Sequence, residues 1–398
     1  MTFKLGKSLL FRKTVVATLF VLGLSVQVSA LDLTKVNLKY LYDPYSAVRI
    51  QHKAVSEDGQ STFYFKLNLV NPLRPENDFA ISFHAQKGYK DKSEQPLEPV
   101  LIRQDSVSNL ILLKYQLSVD TKYDLIVGSF LINNVYYYYD IPINSSLKFP
   151  CTDVLPLKEN GWPYFDNFIK EGTILNLPSP VVTYQYRDQF GIAKPPMSFS
   201  TDPSGQVLKI DSVFEASAFT LNNERVLSFI QKDSTSMAGC SYLTVGPYYP
   251  KLRRIDDLSE TIIYISKKEE HDAVLLASER KKAFDKFWLN LLQTKDRAGS
   301  VLKRYFRNVM YANTFFTDYK EGWRTDRGMV FIIYGIPSEV IRSEEEEIWS
   351  YTISGKKQNF TFAKVPNLFV QHHYVLVRNS GLSRVWLNEV GKWRKGNI

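Results

Sequence analysis

Between Leu31 and Pro150 the apolar residues come in short, dense runs: STFYFKLNLV, DFAISFHAQ, SNLILLKYQL, KYDLIVGSFLI and NNVYYYYDIPIN, separated by Asn, Asp, Gly, Pro and Ser. Aromatic and β-branched residues suit a pleated surface, and repeated short strands at this spacing predict a β-sandwich over residues 31–150. Residues 151–261 are less regular. LPSPVVTYQYRD, QVLKIDSVFE, ERVLSFIQK and SYLTVGPYY read as strands, but Pro178, Pro180, Pro195, Pro196 and Pro203 interrupt them. Proline is poorly tolerated inside central strands, so a second small sandwich or a β-rich linker domain is expected here. The period then changes. Ala283, Phe284, Phe287, Trp288, Leu291 and Leu292, and after them Val301, Leu302, Tyr305, Phe306, Val309 and Met310, recur at helical spacing. They predict two amphipathic helices forming an antiparallel pair. GMVFIIYG, bounded by Gly328 and Gly335, reads as a strand, as do IWSYTI, NFTFAKV and HHYVLVRN. Leu382, Val385, Trp386, Val390 and Trp393 fit a short closing helix. The expected architecture is multidomain and mainly β, with an α+β domain over 262–398 in which the helix pair packs on a small sheet.

The first 30 residues change the picture of where the chain works. Lys4, Lys7, Arg12 and Lys13 precede the apolar run VVATLFVLGL, which ends in VSA at Ala30. This is the pattern of a secretory signal peptide cut after Ala30, so an exported protein is expected. No later stretch offers about 18 consecutive apolar residues, so no transmembrane segment is expected in the mature chain, and peripheral membrane association stays open. The whole chain carries +9, and the mature part +5 once the four leader cations are gone. That mild excess is not a nucleic-acid footprint. Cys151 and Cys240 are the only cysteines. In an oxidising compartment they form either one disulfide or two separate buried thiols.

Candidate chemistry concentrates in EGWRTDRGMVFIIYGIP, Glu321 to Pro337. Asp326 can accept hydrogen bonds from nearby backbone N–H groups, Gly322 and Gly328 can take φ values closed to other residues, and Trp323 can plug a gap between helix and sheet. Arg327 has Asp326 or the acidic run Glu344 to Glu347 as partners. Together these residues predict a corner joining a helix to a strand. Asp326, Glu339 and Glu344 to Glu347 could supply paired carboxylates, as glycoside hydrolysis requires, but nothing in the sequence fixes their separation, and an acidic run reads first as a solvated loop. His372 and His373 point to opposite faces of a strand, and neither HExxH nor a Cys/His zinc spacing occurs, so no metal is expected. GxSxG, GxxxxGK[ST] and GxGxxG are absent too, so no cofactor is expected. Tyr136 to Tyr139 could offer an aromatic platform, but alternation leaves at most two rings on one face, and cross-strand packing accounts for them. In the tail, Trp386, Trp393 and Arg394 are candidate interface anchors, with a helix closing its own domain as the alternative.

KKAFDKFW, YFRNVMYANTFF, GWRTDRGMVFIIYGIPSEV and EEIWSY occur in an order that resembles the GWxTD domain family of exported bacterial proteins, known from envelopes of Bacteroidetes and related lineages. The motif positions are Gly322, Trp323, Thr325, Asp326, Arg327, Gly328, Tyr334, Gly335 and Pro337. SEEEEIW departs from the family pattern, which often has Pro and Gly near this loop. The resemblance implies an envelope location and an α+β fold, and it implies no reaction. The functional expectation is a non-catalytic envelope protein that interacts with or assembles other envelope or outer-membrane proteins. The alternative is a glycan-binding protein or hydrolase acting on peptidoglycan or polysaccharide.

Overall fold

Phe63, Phe65 and Leu67 alternate with polar or smaller neighbours, so a single strand can aim all three at one core. The computed structural model describes residues 31–57, 60–72, 79–91, 95–119, 122–143, 153–187, 190–198, 209–236 and 238–398. Residues 1–30, with the expected leader, and Cys151 lie outside the described residues. The first module is a sandwich of two antiparallel sheets. One sheet has the order β1 (Val48–Glu57), β2 (Gln60–Leu69), β6 (Leu110–Leu117), β5 (Val100–Val107); the other runs β4 (Gln95–Leu97), β3 (Phe79–Gln86), β7 (Leu125–Ile132), β8 (Val135–Pro142). Phe65 of one sheet meets Phe83 and Phe130 of the other at ring centroid distances of 5.3 and 5.8 Å. Tyr137 and Tyr139 pack on this core, whereas Tyr136 and Tyr138 stack on the opposite face of β8. β1, β4 and β5 were not among the strands expected from the sequence. β1 carries Arg49, Gln51 and Lys53 on one face and His52 on the other, which hides its alternation.

Among the described residues the middle region is a single sheet, not a second sandwich: β11 (Ser212–Thr220), β10 (Ile174–Arg187), β12 (Val226–Gln231), β13 (Cys240–Val245), β9 (Phe168–Lys170), with β9 parallel to β13. Pro178 and Pro180 lie in a register shift of β10 between Asn176 and Val181, where the ladder is already broken. β12 and β13 are buried along their whole length. Leu227, Phe229, Leu243 and Val245 pack with Phe369 of the C-terminal region, so the sheet is wedged between its neighbours.

In the C-terminal region, α1 (Ile255–Thr261), α2 (Lys268–Leu275), α3 (Arg280–Leu292), α4 (Lys295–Phe316), α5 (Asp326–Tyr334) and α6 (Ser383–Lys395) surround the sheet β14 (Glu339–Arg342), β15 (Glu346–Ile353), β16 (Lys356–Val365), β17 (His373–Leu376). The two long helices, the β15 to β17 strands and the closing helix fall where the apolar periods place them. GMVFIIYG is the exception: it is helix α5, not a strand. Its residues Met329 to Ile333 are all buried, so the run is apolar because it is surrounded on every side, and periodicity cannot tell a buried helix from a buried strand. Residues Leu33 to Tyr42 also leave their expected place. They form a strap outside the sandwich, with Leu38 and Tyr42 in the C-terminal core and the Leu38 N–H donating to the Val340 carbonyl at 2.8 Å.

Trp386 and Trp393 are 3% and 2% exposed, and the Trp393 indole N–H donates to the Ile333 carbonyl at 2.9 Å. Arg394 pairs with Glu270. These residues therefore close their own domain and offer no free anchor to a partner. Replacing Trp393 with Ala should lower unfolding free energy by about 3–5 kcal/mol, as truncation of a buried aromatic does. Denaturant unfolding followed by tryptophan fluorescence and circular dichroism measures it, and a loss under about 1 kcal/mol would contradict this packing.

Candidate functional site

The motif begins where α4 ends. Thr317 Oγ1 accepts from the Gly322 N–H at 3.1 Å, and Asn313 Oδ1 accepts from the Trp323 N–H at 2.9 Å, so side chains of α4 and its C-terminal flank hold the backbone of the turn. Gly322 and Gly328 are not needed for unusual φ values: neither adopts positive φ. They are needed for close approach. A Cβ on Gly322 would strike the Ala312 carbonyl oxygen, and one on Gly328 would strike the Gly322 carbonyl oxygen. The residue that does take positive φ is Gly335, at 76°, where α5 ends. Thr325 is the N-cap of α5, accepting from the Gly328 N–H at 3.0 Å and donating to the Gly322 carbonyl at 2.7 Å. Trp323 is 1% exposed, and its indole N–H donates to Glu321. Tyr334 packs on Phe360 and Trp386, and Pro337 is buried.

Asp326 does not serve its own turn. Its Oδ2 accepts from the Leu376 N–H of β17 at 2.8 Å, and both oxygens bind the Arg378 guanidinium. The motif is therefore a turn between two helices whose carboxylate ties α5 to the far edge of the sheet, not the corner from helix to strand. Arg324, absent from the sequence-based candidates, pairs with Glu321 at 3.0 Å and Glu260 at 2.8 Å.

Arg327 turns toward Glu347, at 3.6 Å, and lies over the Tyr374 ring at 3.8 Å. Glu347 corrects the picture of the acidic run: Glu344 and Glu345 are exposed, but Glu347 is 0% exposed. On β15 it shares the inward face with Trp349 and Tyr351. Its Oε2 accepts from Tyr42 and from Arg342, and its Oε1 from the Trp349 indole at 2.7 Å. Arg342 also binds Asp140 of β8 at 2.6 Å, and Asp140 accepts from the Tyr89 hydroxyl at 2.6 Å. One network thus runs from the sandwich through the strap into the C-terminal sheet. Burial alone would raise the Asp140 carboxyl, but Arg342, Lys364 and the Tyr89 hydrogen bond hold it at about 2. Glu347 is likewise held below the ordinary range: burial opposes, and Arg342 and Arg327 win.

Beside this network a cavity of about 350 Å³ opens where the three modules meet. Its walls are β1, the Asp166–Phe168 segment, the Gly239–Ser241 strip and the Phe369–His372 strip, with Arg327 and Arg342 at one end. Cross-braces hold the walls in place. Gln371 donates to the Pro142 carbonyl at 2.7 Å, Asn167 to the Thr317 carbonyl at 3.2 Å, and Ser241 to the Phe369 carbonyl. Lys53 donates to Asn167 Oδ1 at 2.8 Å, and Gln51 to Asp166 at 2.8 Å. His52 Nδ1 lies 3.0 Å from the Tyr139 hydroxyl. Cys240, buried on the cavity wall, has no disulfide partner among the described residues, which do not include Cys151, and burial pushes its thiol up to about 12. His373 sits by Asp318 at 3.5 Å. His372, its sequence neighbour, belongs to the cavity wall. Among the described residues, no group of three or more His, Cys, Asp or Glu side chains is placed to hold a metal ion, and no helix is long and apolar enough to cross a membrane. β1 and the cavity it borders were not foreseen from sequence; the usable signal was the alternation Arg49, Gln51, Lys53 on a strand with Val48, Ile50 and Ala54 facing the core.

Residues 226–395 match the family model of the GWxTD domain, somewhat under half of the chain. The match starts at Val226, the first residue of β12, well before Ile262, and so takes in the two strands wedged against the C-terminal core. No curated protein and no solved structure matches the chain.

Asp326→Asn keeps the shape but removes the charge facing Arg378, and should cost about 3 kcal/mol of stability. Thermal unfolding of the variant checks this, and an unchanged melting temperature would remove Asp326 from the structural role. Stability should also fall with acid in two stages. Burial holds His52 and His372 at about 4, against an ordinary 6.5, so between these values the unfolded chain binds more protons and stability drops as pH falls. Asp140, at about 2 against 3.8, adds a second loss as pH falls through that lower window. Melting temperatures at about pH 7, 5 and 3 should decline at each step; a flat profile from about pH 7 to 4.5 contradicts the neutral, enclosed histidines.

Proposed function

We propose that this chain, which carries a GWxTD domain, is a non-catalytic cell-envelope protein that acts as an interaction or assembly component in the periplasm or at the outer membrane. The observation that carries the reading is the edge strand β5. Val100, Leu101, Ile102 and Val107 are 57%, 41%, 50% and 70% exposed on a strand that, among the described residues, pairs on one side only and carries a register shift between Leu101 and Arg103. Natural edge strands are usually short, charged or covered, so an exposed apolar edge is a ready surface for pairing with a partner's strand. The same strand is already anchored through its polar side chains, since Asp105 accepts from the Trp162 indole at 2.6 Å and Arg103 donates to the Asn160 carbonyl at 2.9 Å. That anchoring fixes the orientation of the edge on a rigid body.

The state of the carboxylates supports a role without hydrolysis. Asp326 is occupied by Arg378 and Leu376, Glu347 by Arg342, Tyr42 and Trp349, and Glu339 by Lys357 at 2.7 Å. A general acid needs a carboxyl group whose pKa is raised, and Glu347 and Glu339 are shifted the other way. Glu339 is lowered chiefly by its hydrogen bond from Lys357.

Affinity purification of tagged protein from its native envelope after mild crosslinking, with the co-purifying proteins identified by mass spectrometry, tests the reading. Reproducible, stoichiometric envelope partners are expected with the unaltered chain. They should be lost with Leu101→Lys plus Ile102→Lys at an unchanged melting temperature. A clean monomer, or partners retained by the double variant, overturns the β5 surface.

A further inference from the structure

Charge is not spread evenly over this molecule. Helices α3, α4 and α6 carry 13 Lys and Arg against three Asp and Glu, whereas the rest of residues 31–398 carries 33 against 38. On α3 much of the excess is answered locally, since Arg280 pairs with Asp256, Lys281 with Asp285 and Lys282 with Glu279. On α4 it is not. Lys303, Arg304 and Arg307 are exposed, and among the described residues none of the three makes a hydrogen bond or an ion pair. They stand on one stripe of the helix, at the spacings where like charges repel and cost stability. α6 extends the patch. Arg297 of α4 donates to the Lys395 carbonyl and to Asn397 Oδ1, and the Arg304 guanidinium lies 6.0 Å from the centre of the Trp393 ring. Lys392 and Lys395 occupy the last turn of α6, where cations suit the helix dipole, but Arg304 and Arg307 are in mid-helix and have no such reason. A second cavity, of about 330 Å³, is lined by Arg304 and Arg307 of α4, by Lys392 of α6 and by the end of α5. Phe331, Ile333 and Ile336 give it an apolar side. Tyr45 and Tyr311, with ring centroids 6.5 Å apart, line it too, and Tyr45 is 66% exposed. The acidic side chain in its wall, Glu389, is taken by Lys392 at 2.7 Å, and Ile398, which also lines it, forms no ion pair with either arginine among the described residues.

We infer that this face of α4 and α6 docks on an anionic phospholipid surface, with a lipid phosphate held by Arg304 and Arg307 at the cavity and Tyr45 at headgroup depth. The chemistry follows from the side chains. Two guanidinium forks one turn apart match the several oxygens of a phosphate, which a single fork would not fill. Arg297, Lys303, Arg304, Arg307, Lys392 and Lys395 together form a cluster of the size that holds peripheral proteins on anionic lipid. A tyrosine, apolar along its ring and polar at its tip, suits the boundary between headgroups and water. The net acidic remainder of residues 31–398 is repelled by the same surface, so the charge asymmetry sets an orientation as well as an attraction. The inference rests on α4 and α6, so the loss of protein partners at β5 would leave it standing, and its own failure would leave the β5 surface untouched.

Co-sedimentation of the protein, purified from its native envelope, with mixed phosphatidylglycerol and phosphatidylcholine vesicles at low ionic strength tests it, with pure phosphatidylcholine vesicles and inorganic phosphate as comparators. Binding to the anionic vesicles should be saturable, about tenfold or more stronger than to neutral ones, and lost at about 1 M salt, where the Debye length falls to about 3 Å. Arg304→Gln plus Arg307→Gln should weaken it by about tenfold or more at an unchanged melting temperature. Lys209→Gln plus Lys232→Gln removes the same charge from exposed positions beside β11 and β12 and should leave binding within about twofold. If the double arginine variant does not fold, Arg307→Glu, which leaves Arg304 on Trp393, decides the matter by the same loss. Absence of binding to anionic vesicles, or equal binding to neutral ones, overturns the lipid surface. Equal weakening by the two pairs of substitutions, or weakening by neither, overturns the role given to Arg304 and Arg307. Displacement of the vesicles by inorganic phosphate at about 1 mM overturns the membrane in favour of a free phosphate ligand.

Discussion

Arg342 is the side chain on which the arrangement of the molecule turns. Its guanidinium reaches Asp140 of the sandwich, Glu347 of the C-terminal sheet and Tyr42 of the strap, each at 2.6 Å. A charge taken out of water is tolerated only where partners replace the lost hydration, and removing one member of such a group leaves the others uncompensated at a cost of about 3–5 kcal/mol. The network is therefore selective more than it is adhesive. It admits one relative placement of the modules, the one in which every donor finds its acceptor. The cavity depends on that placement, because its walls come from all three modules and its Arg342 end is part of the network.

The motif does its work one layer away from this network. Gly322 and Gly328 let two backbone segments approach more closely than any Cβ would permit, and Thr325 starts α5 at that point. Because α5 begins there, Arg327 reaches Glu347 of β15 and the Tyr374 ring, and Asp326 reaches the backbone of β17. A turn that looks like a site in sequence is thus a positioning device. The side-chain oxygens of Thr325 and Asp326 are consumed in fixing a helix.

How much was legible depended on whether the signal was local. α3 and α4 were readable because one face of each is apolar and the other wet, and β15 and β16 because a turn separates two alternating runs. α5 was not, because a segment buried on all sides carries no period. Glu347 sat in what read as a solvated acidic run, although its register with Trp349 and Tyr351 placed it inside once the strand was granted. Trp386 and Trp393 were legible as helix residues but not as buried ones, since a lone amphipathic helix does not say whether its apolar stripe meets its own domain or another protein.

The amino-acid sequence by itself determined the β-rich build, the α+β C-terminal region and the GWxTD motif, because these follow from periodicity, turn residues and short-range spacing. Only the tertiary structure decided that Leu38 and Tyr42 belong with the C-terminal core, that the described middle strands form a single wedged sheet, and that Arg49, Asp166 and Gln371 line one cavity. The physical reason is separation along the chain. Asp140 and Arg342, or Gln51 and His372, are brought together by the packing of whole modules, and no local preference of either residue encodes the other's position.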